Sequence, residues 1–183
     1  MDLRHDQSSK MSYRPQTKVA LLVESSRSYG RELLRGVARF AHTRSSWSLL
    51  HQEMTIDAIT PNWLKASGVG GVIARVDSHT IDALRQLNVP IVDVRCRRSF
   101  PFVCNDIRGQ QVLNACKAQE IAVPDDLGVI GVDNDDAICL LSDPPLTSVC
   151  PNAEQVGYRA AEILNEMLTG KFNGPQVEHV RVS

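Results

Sequence analysis

The 183 residues, 20.2 kDa and 43% hydrophobic, suffice to bury a real core as one generous domain or two small ones. Twenty Lys and Arg against 21 Asp and Glu leave a net charge of −1 and a pI near 6.5, which gives no electrostatic footprint for nucleic acid or an anionic membrane. Aromatics at 5% argue against a base-stacking surface, and no long apolar run or basic-then-apolar leader signals a transmembrane helix or secretory peptide, so a cytoplasmic protein is expected.

Residues 1–17 are polar and aperiodic and contain a second methionine, Met11, so a disordered leader is expected, with order starting at Lys18. The continuously apolar run Val19 to Val23 predicts a strand buried on both faces of a parallel sheet. A polar turn, Glu24 to Ser28, follows. Tyr29, Leu33, Val37 and Phe40 then recur at helical spacing with Arg31, Glu32, Arg35 and Arg39 on the other side, the pattern of an amphipathic helix.

The motif repeats. Trp47 to Leu50 reads as a second strand, Ile56 to Ala66 as a weaker helix interrupted near Pro61, and Gly70 to Ala74 as a third strand. Ser78 can cap a helix over Thr80 to Leu87, and Pro90 to Val94 is a fourth strand. Strands alternating with helices predict an α/β fold with a doubly wound parallel sheet.

Beyond Val94, Arg95, Arg97 and Arg98 lead to Pro101, and Asn105-Asp106 opens a helix carrying Val112, Leu113 and Cys116. Leu127 to Val132 predicts a strand followed by the polar residues Asp133 to Asp136, and Asp143 to Val149 reads as a Pro-rich link. In the last clear helix, Asn152 and Gln155 have capping-box spacing, Ala153, Val156, Ala160, Ile163, Leu164 and Met167 form the inner stripe, and Gly170 is the stop. A final strand is expected over Val177 to Val182.

Cys96, Cys104, Cys116, Cys139 and Cys150 contain no C-x-x-C pair and are odd in number, which favours reduced thiols over zinc or a disulfide framework. The five histidines never fall at i, i+4. There is no G-x-S-x-G elbow, Walker loop or dinucleotide fingerprint, so neither an enzyme nor a cofactor is expected. A receiver-type magnesium site would want paired carboxylates after the first strand, where only Glu24 stands.

In open α/β sheets ligands bind beyond the carboxyl ends of strands, which singles out four polar clusters. These are Glu24 to Arg31, Asp93 with Arg95, Asn105 to Gly109, and Asp133 to Asp135. Carboxylates accept from adjacent hydroxyls and guanidinium donates a rigid fork, so converging carboxylates and arginines suit a neutral polyol. The same residues are also ordinary turn formers, and composition alone leaves both readings open.

Two stretches carry a family resemblance. The first is Val19 to Trp47, centred on Ser28-Tyr29-Gly30-Arg31-Glu32-Leu33-Leu34-Arg35-Gly36-Val37-Ala38. The second runs from Cys104 to Ser148 and contains Asn105-Asp106-Ile107-Arg108-Gly109, Val123-Pro124-Asp125-Asp126, Val129-Ile130-Gly131-Val132-Asp133-Asn134 and Leu146-Thr147-Ser148-Val149. Together they resemble the effector-binding part of lactose-repressor-type transcription regulators, most closely xylose operon regulators that join such a domain to an AraC-type DNA-binding domain.

The resemblance implies a periplasmic-binding-protein-like fold of type I with an incomplete second lobe. It divides the chain into the leader 1–17, a first lobe 18–103, a remnant of a second lobe 104–150, and a return helix and strand 151–183. In that family a long segment separates the fourth strand from the Asn105-Asp106 motif, so an internal deletion joined near Phe100 to Val103 is implied. The helix-turn-helix region would lie beyond the C-terminus, making operator DNA a partner only through a domain absent from this chain. Glu24, Arg27 and Arg31 would line the first lobe's face of a sugar cleft, and Asp106, Arg108, Asp133 and Asn134 the second. The implied effector is D-xylose or a related pentose, whose binding would close the cleft and shift the geometry of a homodimer. A periplasmic-type sugar carrier and a small doubly wound enzyme are the competing readings.

Overall fold

In a computed structural model the chain is described over residues 16–53, 61–75, 80–94, 104–174 and 180. Strand β1 (Thr17–Leu22) lies between β2 (Trp47–His51) and β3 (Gly71–Ala74), and β4 (Ile91–Asp93) pairs with β3. The order is β2-β1-β3-β4 and every pairing is parallel.

The unbroken apolar run of β1 follows from its position, because strand side chains alternate between two covered faces. Val19, Leu21 and Val23 point into one core with Leu33, Val37 and Phe40 of α1 (Ser28–Arg44) and Ala160, Ala161 and Leu164 of α6 (Ala153–Leu168). Ala20 and Leu22 point into the other, with Leu64 of α2 (Pro61–Ser67) and Leu84 of α3 (Thr80–Arg85). Helices on both faces make the sheet doubly wound, as expected.

The crossing of α1 and α6 is set by two glycines. A Cβ on Gly36 would collide with the carbonyl oxygen of Glu154, and one on Gly157 with that of Leu33, so the two backbones approach as closely as they do only because neither position carries a side chain. Phe40 closes the far end, 5.4 Å from the rings of both Trp47 and Tyr158.

A second sheet is built from β5 (Cys104–Asn105), β6 (Ile130–Val132) and β7 (Thr147–Val149), parallel and in that order. Helix α4 (Asp106–Ala118) covers one face through Leu113 and Cys116, with Leu146 filling in beside Gly109. The other face exposes apolar side chains: Ile130 is 57% exposed and Val149 is also exposed. On the short helix α5 (Asp136–Leu141), Leu140 and Leu141 are 76% and 80% exposed.

Several boundaries differ from expectation. The strand expected from Leu127 begins only at Ile130, because Leu127 N is held in a turn by Ala122 O at 3.2 Å and Leu127 and Gly128 are exposed. Strand β7 lies within the expected Pro-rich link, and α5 begins at the last of the four polar residues after β6. The capping box of α6 does not form. Asn152 adopts φ 52°, its side chain makes no cap bond, and its carbonyl accepts from Gln155 N at 3.1 Å instead. Asn105 does cap α4, accepting from Arg108 N at 3.0 Å.

The expected leader apart from its last residues, the start of the weaker second helix, Ser78, the junction near Phe100 to Val103 and, Val180 apart, the final strand lie outside the described residues. Among the described residues no helix is long and apolar enough to cross a membrane.

Candidate functional site

Polar groups gather where the strands of both sheets end. In the first sheet β1 runs out at Leu22 and Val23 and delivers Glu24, while β3 delivers Arg75, whose backbone N–H donates to Leu22 O at 3.1 Å and so fixes the two ends side by side. The turn then enters α1 under a tight constraint. A Cβ on Gly30 would strike the carbonyl of Glu24, so only glycine lets the first turn of α1 lie against the end of the strand.

The turn is internally cross-linked. Glu24 Oε1 accepts from Ser26 Oγ at 2.5 Å and faces Arg27 Nε at 3.2 Å, and its Oε2 lies 3.9 Å from Arg75 Nη1. Arg31 Nη1 donates to the carbonyls of Ser26 and Ser25 at 2.8 and 3.2 Å. Glu53 accepts from Ser25 N at 2.8 Å and Ser25 Oγ at 2.5 Å, and the hydroxyl bond above all holds its carboxyl below the usual carboxylate range.

The second sheet contributes a turn held in an uncommon conformation. Asp133 has φ 117° and Asn134 φ 50°, a backbone that non-glycine residues adopt only when their surroundings dictate it. Here the surroundings are explicit. Asp133 N donates to Val149 O at 3.1 Å, Asn134 N to Ser148 Oγ at 3.0 Å, and Asp135 N to Asp106 Oδ2 at 2.7 Å. Asp106 Oδ1 accepts from Ser148 Oγ at 2.5 Å.

The two turns meet. Ser28 Oγ donates to Asp133 O at 3.3 Å, Ser28 N approaches Asp135 Oδ2 at 3.4 Å, and Arg31 Nη2 lies 4.0 Å from the same oxygen. Asp133 therefore sits in a shared polar space. Burial, followed by the charge of Asp106, raises its carboxyl to about pKa 6; Arg75 and Arg27 pull it down, and Asp135 adds a smaller push upward.

Of the residues expected from the sequence, Glu24, Arg27, Arg31 and Asp133 are brought together. Asn134 is exposed on the same turn. Asp106 stands one layer behind: it is 1% exposed with both oxygens engaged by Asp135 and Ser148. Arg108 is exposed on α4, donating from Nη1 to Gln111 Oε1 at 2.9 Å, and among the described residues nothing ties it to the cluster.

Ser28 and Asp135 fall within the polar clusters singled out from the sequence, though not among the residues the resemblance implies, whereas Arg75 was missed altogether. Arg75 carries a signal that could have found it, since it is the first residue beyond the third strand, where the strand-end rule applies as it does to Glu24.

A family model described as a periplasmic binding protein-like domain matches residues 14–182. The xylose operon regulatory protein of Haemophilus influenzae is 29% identical over 169 residues, covering 88% of this chain and 41% of that protein. This chain thus spans about two fifths of that relative's length. Among solved structures, a LacI family transcriptional regulator from Enterococcus faecium with bound ribose superposes with a TM-score of 0.59 at 13% identity, covering 87% of this chain and 93% of the other. A xylose-binding transcription activator superposes with a TM-score of 0.56 at 18% identity, covering 92% and 66%. At these identities the structural likenesses establish the α/β fold with its parallel sheet.

Proposed function

The chain belongs to the periplasmic binding protein-like family, and on that premise we propose that it is the sugar-sensing part of a transcription regulator of a sugar-catabolic operon. Its relatives are transcription regulators by name, not enzymes. The effector is a small neutral sugar, D-xylose or a related pentose, held between the Glu24–Arg31 turn and the Asp133–Asp135 turn.

One observation carries this reading: the strand ends of two separate parallel sheets converge, with Ser28 bonded to the Asp133 carbonyl across the gap. Two turns that meet in this way can part to admit a ligand and close on it, and their chemistry is balanced. Arg27, Arg31 and Arg75 face Glu24, Asp133 and Asp135, so a polyol that both donates and accepts is better matched than an ion.

In this reading residues 18–103 with the return segment 151–183 form the first lobe, and 104–150 form a shortened second lobe, joined where the family has a longer connection. The parent regulator joins the sensor to an AraC-type DNA-binding domain and works in the cytoplasm as a homodimer. Operator contact is made by residues other than these, whose net charge of −1 offers no phosphate-binding footprint. Ligand acts by favouring the closed arrangement of the lobes.

Calorimetric titration of the chain with D-xylose, D-ribose and D-glucose tests the reading. One-site saturable binding that weakens at least about tenfold in Asp133→Ala is expected, the size of one lost charge-assisted hydrogen bond. A folded chain giving no heat with any of the three overturns it.

A further inference from the structure

The three arginines of the cleft are not equivalent. Arg27 is paired with Glu24 at 3.2 Å, and Arg31 is committed to the carbonyls of Ser25 and Ser26. The guanidinium of Arg75 has no such commitment: its nearest described partner is Glu24 Oε2 at 3.9 Å, beyond hydrogen-bond reach, and among the described residues it makes no hydrogen bond. It is nevertheless held in place. Its backbone is pinned to Leu22, and its guanidinium carbon lies 5.6 Å from the ring centre of Tyr29, within cation–π range.

A part-exposed guanidinium with a fixed base, an aromatic neighbour and unfilled donors has the properties of a group kept for an oxygen supplied from outside. The adjacent carboxylate complements it. Glu24 Oε1 is filled by Ser26 and Arg27, whereas among the described residues Oε2 has only the long contact to Arg75 and can accept. A vicinal diol would bridge the pair, accepting from Arg75 through one hydroxyl and donating to Glu24 through its neighbour. A lone carboxylate or phosphate would satisfy Arg75 but be repelled by Glu24.

We propose that Arg75 is a specificity-determining residue of the cleft, donating to one hydroxyl of a neutral sugar whose adjacent hydroxyl donates to Glu24 Oε2. This rests on the sugar-sensing reading above and adds to it the residue that selects hydroxyl position. Arg75 enters from β3, so it reads the sugar from a different strand than the Glu24 turn does.

The test is calorimetric titration of the wild type, Arg75→Met, Arg75→Lys and the surface control Arg85→Met, exposed on α3 and paired with Asp82, with D-xylose, D-ribose, D-glucose and their monodeoxy forms, each variant being checked for fold by circular dichroism. Arg75→Met keeps a stem that can cover Tyr29 but donates nothing. It should bind about tenfold to a hundredfold more weakly, Arg75→Lys less affected, and Arg85→Met unchanged. The deoxy series gives the readout that altered packing would not produce. One hydroxyl whose removal weakens wild-type binding should cost Arg75→Met nothing further. Binding by the wild type with unchanged affinity and unchanged deoxy profile in Arg75→Met overturns the assignment and leaves the sugar-sensing reading standing. Should Arg75→Met fail to fold, Arg75→Leu, which also donates nothing, decides by the same two measurements. Absence of binding by the wild type to every sugar overturns both.

Discussion

Asp106 Oδ2 accepts the backbone N–H of Asp135 at 2.7 Å, although the two residues belong to different helix starts 29 positions apart. The other oxygen of Asp106 takes the Ser148 hydroxyl, so one buried carboxylate ties together the beginnings of α4 and α5 and the middle of β7. The Asp133-Asn134 backbone, with both residues at positive φ, keeps its shape because this anchor lies behind it.

Removing the anchor should therefore cost stability before anything else. Asp106→Ala leaves the Ser148 hydroxyl and the Asp135 N–H without their acceptor, a loss of about 3 kcal/mol. Urea unfolding followed by circular dichroism checks it; an unchanged midpoint would mean that the turn holds itself.

The first sheet offers a steric counterpart. Gly157→Ala pushes a methyl group into the Leu33 carbonyl and forces α6 away from α1. A destabilisation of about 1–3 kcal/mol is expected in the same unfolding experiment, the usual scale of overpacking. Gly174→Ala serves as comparison, since the nearest atoms there belong to the Phe172 side chain, which can yield.

Asp133 should make both stability and the proposed sugar affinity depend on pH, in opposite directions. Its carboxyl is raised from 3.8 to about 6 in the folded chain, so between those values the folded state holds a proton that the unfolded state has released. The stability contributed by the protonated form is complete below pH 3.8 and is lost as pH rises through about 6. Asp133→Asn should flatten that part of the pH–stability curve. In the proposed site the ionised carboxylate is the sugar's acceptor, so wild-type affinity should fall as pH drops below about 6. Affinity constant between pH 7 and 5 in the wild type would contradict a role for this carboxylate.

Arg108 belongs to a motif of the resemblance, and among the described residues nothing ties it to the polar cluster. It lies within the Asn105–Gly109 motif, yet its guanidinium is engaged with Gln111 on exposed α4. Arg108→Ala should leave stability within about 0.5 kcal/mol and sugar affinity unchanged, as read by unfolding and titration.

How far the sequence could be read depended on how many faces of each element are covered. Val19 to Val23 announced a central strand because both faces of β1 are packed, and the stripe of α1 was visible because it faces a core. Strand β6 lost its beginning because Leu127 is apolar without being buried, and β7 hid behind Pro144 and Pro145 because only three residues pair. Within the site, Glu24, Arg27, Arg31 and Asp133 were legible as polar residues after strands. The same logic, applied one strand further, reaches Arg75. Asp135 was legible as a member of its polar cluster, but its approach to Ser28 was not, since it depends on how the two sheets meet, which no local pattern encodes. Asp106 shows the converse: a motif carboxylate whose contacts are internal to the fold.

The central claim is that one ligand is held by both sheets at once. Amide chemical-shift mapping of the isotope-labelled chain during titration with D-xylose tests it most directly. The account predicts that Glu24 to Arg31, Arg75 and Asp133 to Asp135 shift together along one saturation curve, while amides in the middle of α4 stay still. Shifts confined to one sheet, or none in a chain whose spectrum shows it folded, would contradict it.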